Sequence, residues 1–166
     1  MKYIRKASRS DASRLAEILV FTKRINYRPI FQNDDYSFGE LQVIPVAQEY
    51  LDDPALLHST YVYDDGIVRG LIQIRDKEIV KLYVDHFFQG QGIGEKLIEF
   101  AIQAFDVQYL YALEKNTGAL RFYARHGFTF QGSWEYEEGT PERLLKLERG
   151  TVSPNPGTAP SPTSHK

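Results

Sequence analysis

Ile79 to Leu97 reads IVKLYVDHFFQGQGIGEKL, and the fold turns on this stretch. Its first part alternates: Val80, Leu82 and Val84 fall on one face of an extended strand, Lys81, Tyr83 and Asp85 on the other. A loop carrying Gly90, Gly92 and Gly94 follows, and helical spacing returns at Ile93, Leu97, Ala101 and Ala104. Glycines allow left-handed backbone turns, so successive N–H groups can converge on one anion, and the positive end of the helix adds to the field. Diphosphate is a natural guest of such a loop. Two common versions are excluded by the details. A P-loop needs Gly-Lys-Ser/Thr, and Gly94 is followed by Glu95. The pattern G-x-G-x-x-G would place its third glycine at Glu95 or Leu97, depending on the start. A tight strand-to-helix turn with no ligand is the plain alternative for the loop taken alone.

Upstream, Lys2 to Ala7 reads as a short strand, and Ser10 or Asp11 can cap a helix with Ala12, Leu15, Leu19 and Thr22 on one face. That face fades near Asn26. Arg28 to Gly39, RPIFQNDDYSFG, contains a proline and an Asn-Asp-Asp cluster and is expected to be a loop, with a second helix from about Phe38 to Leu51. His58 to Tyr63 and Ile67 to Ile74 flank Asp64, Asp65 and Gly66, a hairpin signal, and Glu78 to Asp85 forms the next strand. Downstream, Gln108 to Leu113 reads as a buried strand, and Asn116 can cap a helix to about His126 that Gly127 terminates. Strands near Phe128 to Tyr136 and Arg143 to Leu147 close the series, separated by the turn residues Gly139 to Pro141. The expected architecture is α/β (α+β): a mixed sheet with helices packed on it.

The chain has 166 residues, room for one domain, expected to span residues 1–149. Residues 150–166 are Pro, Ser, Thr and Gly with almost no apolar side chain, and are expected to be a disordered tail. The absence of cysteine excludes a disulfide framework, a thiolate zinc site and a cysteine nucleophile. The start, MKYIRKASRSDASRL, lacks the apolar core of a signal peptide, and no apolar run approaches a membrane span, so a cytoplasmic protein with no membrane partner is expected. With a net charge of −2 and no basic stripe, no nucleic-acid partner is expected. His58, His86, His126 and His165 lack metal-ligand spacing, and no serine sits in a nucleophile elbow, so no metal is expected.

Gln89, Gly92 and Gly94 match the Q/R-x-x-G-x-G/A signature of the GNAT superfamily of acyl-CoA-dependent N-acyltransferases. The preceding KLYVD resembles that family's fourth strand. A second segment, Asn116 to Phe128 (NTGALRFYARHGF), is similar to its N-x-x-A-x-x-x-Y-x-x-x-G-F pattern, with Asn116, Ala119, Tyr123, Gly127 and Phe128 in place. The element order also fits, so the resemblance covers about residues 2 to 148.

The resemblance implies a mostly antiparallel central sheet with splayed fourth and fifth strands, flanked by about four helices. It implies acetyl-CoA as co-substrate, with its pantetheine arm paired to backbone groups of Leu82, Tyr83 and Val84. The loop Gln89, Gly90, Gln91, Gly92, Ile93, Gly94 and Glu95 would cradle the pyrophosphate. Asn116, Ala119 and Tyr123 would lie along the rest of the cofactor. The N–H of Val84, or a neighbour, would hold the thioester oxyanion. Tyr123 stands where the family's general acid stands, and a phenol stays protonated at neutral pH. Glu78, which opens the strand, is a candidate base directly or through water, and a water chain is the alternative.

The acceptor implied is a small-molecule or peptide amine, bound by the first helices, their connecting loop and the last hairpin. Those segments supply Tyr27, Arg28, Phe31, Asp34, Asp35 and Tyr36, then Trp134, Glu135, Tyr136, Glu137 and Glu138; aromatics beside carboxylates suit a cationic amine. A homodimer is plausible for the fold. A second reading is a module that holds acetyl-CoA as a sensor without turnover. A third, nucleotide binding or kinase chemistry, lacks the Lys-Ser/Thr it requires.

Overall fold

A computed structural model of the chain describes residues 1–150. Its strands are β1 (Ile4–Lys6), β2 (Thr60–Asp64), β3 (Val68–Arg75), β4 (Glu78–Val84), β5 (Tyr109–Leu113), β6 (Phe128–Tyr136) and β7 (Arg143–Arg149). They form one sheet in the order β1-β2-β3-β4-β5-β7-β6. Every neighbouring pair is antiparallel except β4 with β5. The helices are α1 (Ala12–Phe31), α2 (Val43–Asp52), α3 (Pro54–His58), α4 (Ile93–Phe105) and α5 (Thr117–Arg125).

The apolar residues sort these helices onto both faces. On one side Leu97, Ile98 and Ala101 of α4 pack with Ile72, Ile79, Leu110, Phe128 and Leu147 of the sheet. On the other, Leu15 and Ile18 of α1 and Tyr50 of α2 cover Val62, Val68 and Leu71. The mixed sheet between two helical layers is the architecture expected.

Two features of the sheet shape its centre. On β4, Lys81 opposes Gln73 of β3, but Ile79 opposes Ile74, so Val80 is an extra residue in a β-bulge. The bulge breaks the alternation: Ile79, not Val80, joins Leu82 and Val84 in the α4-side core, while Val80 faces the cleft described below. The second feature is the splay. β4 and β5 pair only at Glu78 with Tyr109 and Ile79 with Leu110, and beyond those rungs the strands part.

The segment after Asn26 differs from expectation. Helix α1 continues through Pro29 to Phe31, where Gln32 takes the left-handed conformation at φ 52° and its N–H donates to the Arg28 carbonyl. Pro29 forgoes one bond, the N–H that would have met the Ile25 carbonyl, and only two helical residues follow it. Asp35 to Glu40 forms a π-helical turn, α2 starts at Val43, and α3 is a separate turn whose N–H groups donate to Asp53. Tertiary contacts hold what local sequence signals left as loop. Tyr27, Phe31 and Tyr36 stack edge to face, and Arg24 donates to the Ser37 and Leu41 carbonyls at 2.9 and 3.0 Å. The tail expectation for residues 151–166 falls outside the described residues. No described helix is long and apolar enough to cross a membrane.

Candidate active site

The parting of β4 and β5 opens a cleft of about 670 Å³. Its backbone chemistry follows from one hydrogen bond. The Asp85 N–H donates to the Arg69 carbonyl at 2.9 Å, which fixes the hydrogen-bonded pairs of the β3–β4 ladder. In an antiparallel ladder these pairs alternate. The N–H and C=O groups of Lys81 and Tyr83 therefore turn toward β3, and those of Leu82 and Val84 turn into the gap. Polar backbone groups seek partners, so the gap is a place for an extended ligand to lie as a strand would. The expected backbone role of Tyr83 is corrected here: its amide serves β3, and it reaches the cleft through its phenol.

The mouth of the cleft is the glycine turn. Gly90 and Gly92 have φ 76° and 78°, a conformation that L side chains resist, and Gly92 caps α4. Gly94 has another purpose. A Cβ there would lie 3.3 Å from Phe122 Cζ, so its missing side chain lets α5 approach α4. Arg14 braces the junction, pairing with Asp85 at 2.7 Å and donating to the Val68 carbonyl at 2.9 Å. The other Asp85 oxygen accepts from the Phe87 N–H, and Gln89 Nε2 donates to the Val84 carbonyl at 3.2 Å. Arg14 and Asp85 escaped the motif reading, because nothing local marks a pair so distant in sequence.

Of the residues expected around the cofactor, Leu82, Tyr83, Val84, Gln89, Gly90, Gly92, Ile93, Gly94, Glu95, Asn116, Ala119 and Tyr123 line the cleft; Gln91 does not. Asn116 also caps α5, its Oδ1 accepting from the Ala119 N–H at 3.3 Å. Glu78 lies at the closed end of the splay, on the first β4–β5 rung, and is not part of the lining. Burial raises its carboxyl, Arg75 opposes that, and Glu135 adds to it.

A group of tyrosines occupies the middle of the site. The Tyr27 hydroxyl on α1 stands 3.4 Å from that of Tyr83 on β4. Burial, then the neighbouring Tyr27, pushes Tyr83 well above the usual phenol range, and the same two causes raise Tyr123. All three stay protonated at neutral pH and can donate hydrogen bonds. Of the proposed acceptor segments, Tyr27 and Asn26 reach the cleft. Asp34 instead pairs with Arg28 at 2.8 Å, beside a separate hollow on the outer side of α1. Glu137 bears electrostatically on Lys23, Tyr27 and Tyr36, which brings the last hairpin toward the C-terminal half of α1.

The bulged strand β4 and its splay from β5 leave an open cleft in the middle of the sheet, with a glycine turn at its mouth. Residues 37–143 match the acetyltransferase (GNAT) domain. The chain belongs to the GNAT family and is an acyltransferase of that type. It is 26% identical over 145 residues to the peptidyl-lysine N-acetyltransferase YjaB of Salmonella typhimurium, covering 87% of this chain and 95% of that protein. A shorter match, 32% over 62 residues, covers 34% of this chain and 41% of a probable spermine N(1)-acetyltransferase of Bacillus subtilis subsp. natto. In fold it resembles the PaiA N-acetyltransferase of Thermoplasma acidophilum in complex with coenzyme A. The TM-score is 0.67 at 21% identity, covering 87% of this chain and 97% of the other.

Proposed function

We propose that this protein binds acetyl-CoA in the β4–β5 cleft and catalyses direct attack of a primary amine on it in a ternary complex. One observation carries the reading: Leu82 and Val84 turn backbone groups into the gap, between the glycine turn at its mouth and the Tyr123 phenol within it. Bound acetyl-CoA supplies an activated acyl group and a thiolate leaving group. The residues would divide the work. Val84, nearer the mouth, pairs with the pantetheine, and the Leu82 N–H, deeper in the gap, donates to the acyl oxygen as negative charge gathers there. The N–H groups from Gln89 to Glu95 hold the diphosphate, and Asn116 and Ala119 border the arm.

The reaction joins the amine nitrogen to the acyl carbon and breaks the carbon–sulfur bond. The amine must shed a proton and the sulfur must gain one. Tyr123, protonated because it is buried, donates to the sulfur and recovers a proton from solvent. Since Glu78 stands outside the lining, the amine proton leaves along water, with Glu78 as a remote acceptor at the closed end of the splay.

Free-thiol release from acetyl-CoA across an amine panel tests this. Release should depend on the amine, and Tyr123→Phe should lower kcat by about 100-fold or more while acetyl-CoA affinity stays within about twofold. Tight binding of acetyl-CoA with no release on any amine would leave a sensor. Absence of binding would remove the cleft assignment.

A further inference from the structure

Lys23 on α1 and Lys81 on β4 stand at the acceptor side of the cleft. Both are half-buried, and neither makes an ion pair among the described residues. Lys81 lines the cleft, with its Nζ 5.9 Å from the centre of the Tyr50 ring. Lys23 lies between two lining residues, next to Thr22 and one turn before Tyr27. Lys23 lies one turn before Tyr27 and Lys81 two residues before Tyr83, whose hydroxyls stand 3.4 Å apart, so α1 and β4 bring the two lysines into one neighbourhood, with Arg75 a further cation nearby. Glu49 acts on both and Glu137 on Lys23, yet neither carboxylate closes to an ion pair.

The neutral groups around them are rich in donors. Among the described residues the Thr22 and Tyr50 hydroxyls are buried without partners; Gln73 Oε1, across the ladder from Lys81, is the acceptor in the same condition. Tyr50 stays protonated, its phenol pushed up to about 12 by burial and then by Glu49. Burial also holds both lysines below the usual ammonium range. Cations taken from water side by side are tolerated where a counter-charge meets them. This wall would repel a polycation. A monoanion would receive two ammonium groups beside Thr22 of the lining, and Glu49 and Glu137 keep the site's net charge low enough to suit one carboxylate rather than a phosphate.

We propose that Lys23 and Lys81 form a carboxylate subsite, so that the acetylated amine belongs to a molecule that also carries a carboxylate, such as a free amino acid. The substrate class rests on the transfer reaction proposed above; the anion site itself does not.

Two measurements separate them. In the first, kcat/KM is compared for glycine, β-alanine and 4-aminobutyrate against glycinamide, β-alaninamide and spermidine. Wild type should favour the carboxylates by about tenfold or more, and the Lys23→Gln/Lys81→Gln variant should lose that preference to within about twofold. Acetyl-CoA binding by calorimetry serves as the folding control. In the second, N-acetylglycine and N-acetylglycinamide are titrated into the coenzyme A complex of wild type and variant. Tighter N-acetylglycine binding that needs the lysines supports the subsite even if no amine is acetylated, in which case transfer alone fails. Equal binding of the two compounds, a preference for amides or spermidine, or a carboxylate preference that survives both substitutions overturns the subsite and leaves transfer standing.

Discussion

Tyr50 carries opposed demands. Its ring is 1% exposed in the α2-side core, and its hydroxyl is buried with no partner among the described residues. An unsatisfied buried hydroxyl costs about 1–3 kcal/mol, so Tyr50→Phe should raise the unfolding free energy by about 1 kcal/mol in urea. The phenol also sets an alkaline limit. Its pKa is about 12 in the folded protein, against about 10 in an unfolded chain. The unfolded state loses the proton first, so stability falls as pH rises from about 10 through about 12, by roughly 3 kcal/mol for a two-unit gap. Urea midpoints at pH 8 and pH 11 should therefore diverge less in Tyr50→Phe than in wild type. At this scale the sequence was legible where a backbone need selects a residue. Gly90 and Gly92 were found because left-handed turns ask for glycine, and Asn116 because helix starts ask for caps. The Tyr27–Tyr83 contact was not: periodicity puts each on a face but does not say which faces meet.

Among elements, α4 sits tightly on β3 at Gly70. A Cβ at Gly70 would lie 3.1 Å from Leu97 Cδ1, 3.1 Å from the Tyr83 carbonyl oxygen and 3.2 Å from Ile93 Cγ2. The carbonyl belongs to β4 and cannot rotate away, so Gly70→Ala should destabilise by about 1–3 kcal/mol, read as a lower melting temperature. Another element contact is electrostatic. Arg5 of β1 donates to both Asp11 carboxylate oxygens, at 2.8 and 2.9 Å, just before α1, and holds that carboxyl below its usual range. The folded carboxylate is favoured, so its stabilisation is present above about pH 4 and is lost as pH falls through the lowered folded value. Asp11→Asn should flatten that part of the acid-unfolding profile. Element types were legible because alternation and helical spacing are local. The Val80 bulge was not, since a bulge is a mismatch between two strands and cannot be read along one. The end of α1 was missed because its supports, Arg24 and the Tyr27–Phe31–Tyr36 stack, are tertiary.

For the whole molecule, the ligand and the fold share one account. If acetyl-CoA binds only the folded state, a concentration about 100 times its Kd adds roughly 2.7 kcal/mol, a rise in melting temperature of about 5–10 °C for a domain of this size. Gly92→Ala, strained at φ 78°, should blunt that rise. The strand order β1-β2-β3-β4-β5-β7-β6 was not legible, because no local pattern says that β7 slips in between β5 and β6; family resemblance implied only the splay of the fourth and fifth strands.

The two rungs that join β4 to β5 have a mechanical consequence. They leave the sheet a wishbone, with four strands on one prong and three on the other, meeting at a narrow apex. Stiffness across such a joint must come from whatever fills the fork. Without a guest, the Leu82 and Val84 amides face a fork that no strand fills, and their hydrogens should exchange quickly with deuterium for residues so near the middle of a sheet. Coenzyme A should slow exchange at those two amides far more than at Lys81 and Tyr83, which β3 already secures. The cofactor would then serve as the missing slat of the sheet, and each turnover would unlatch and relatch the two prongs.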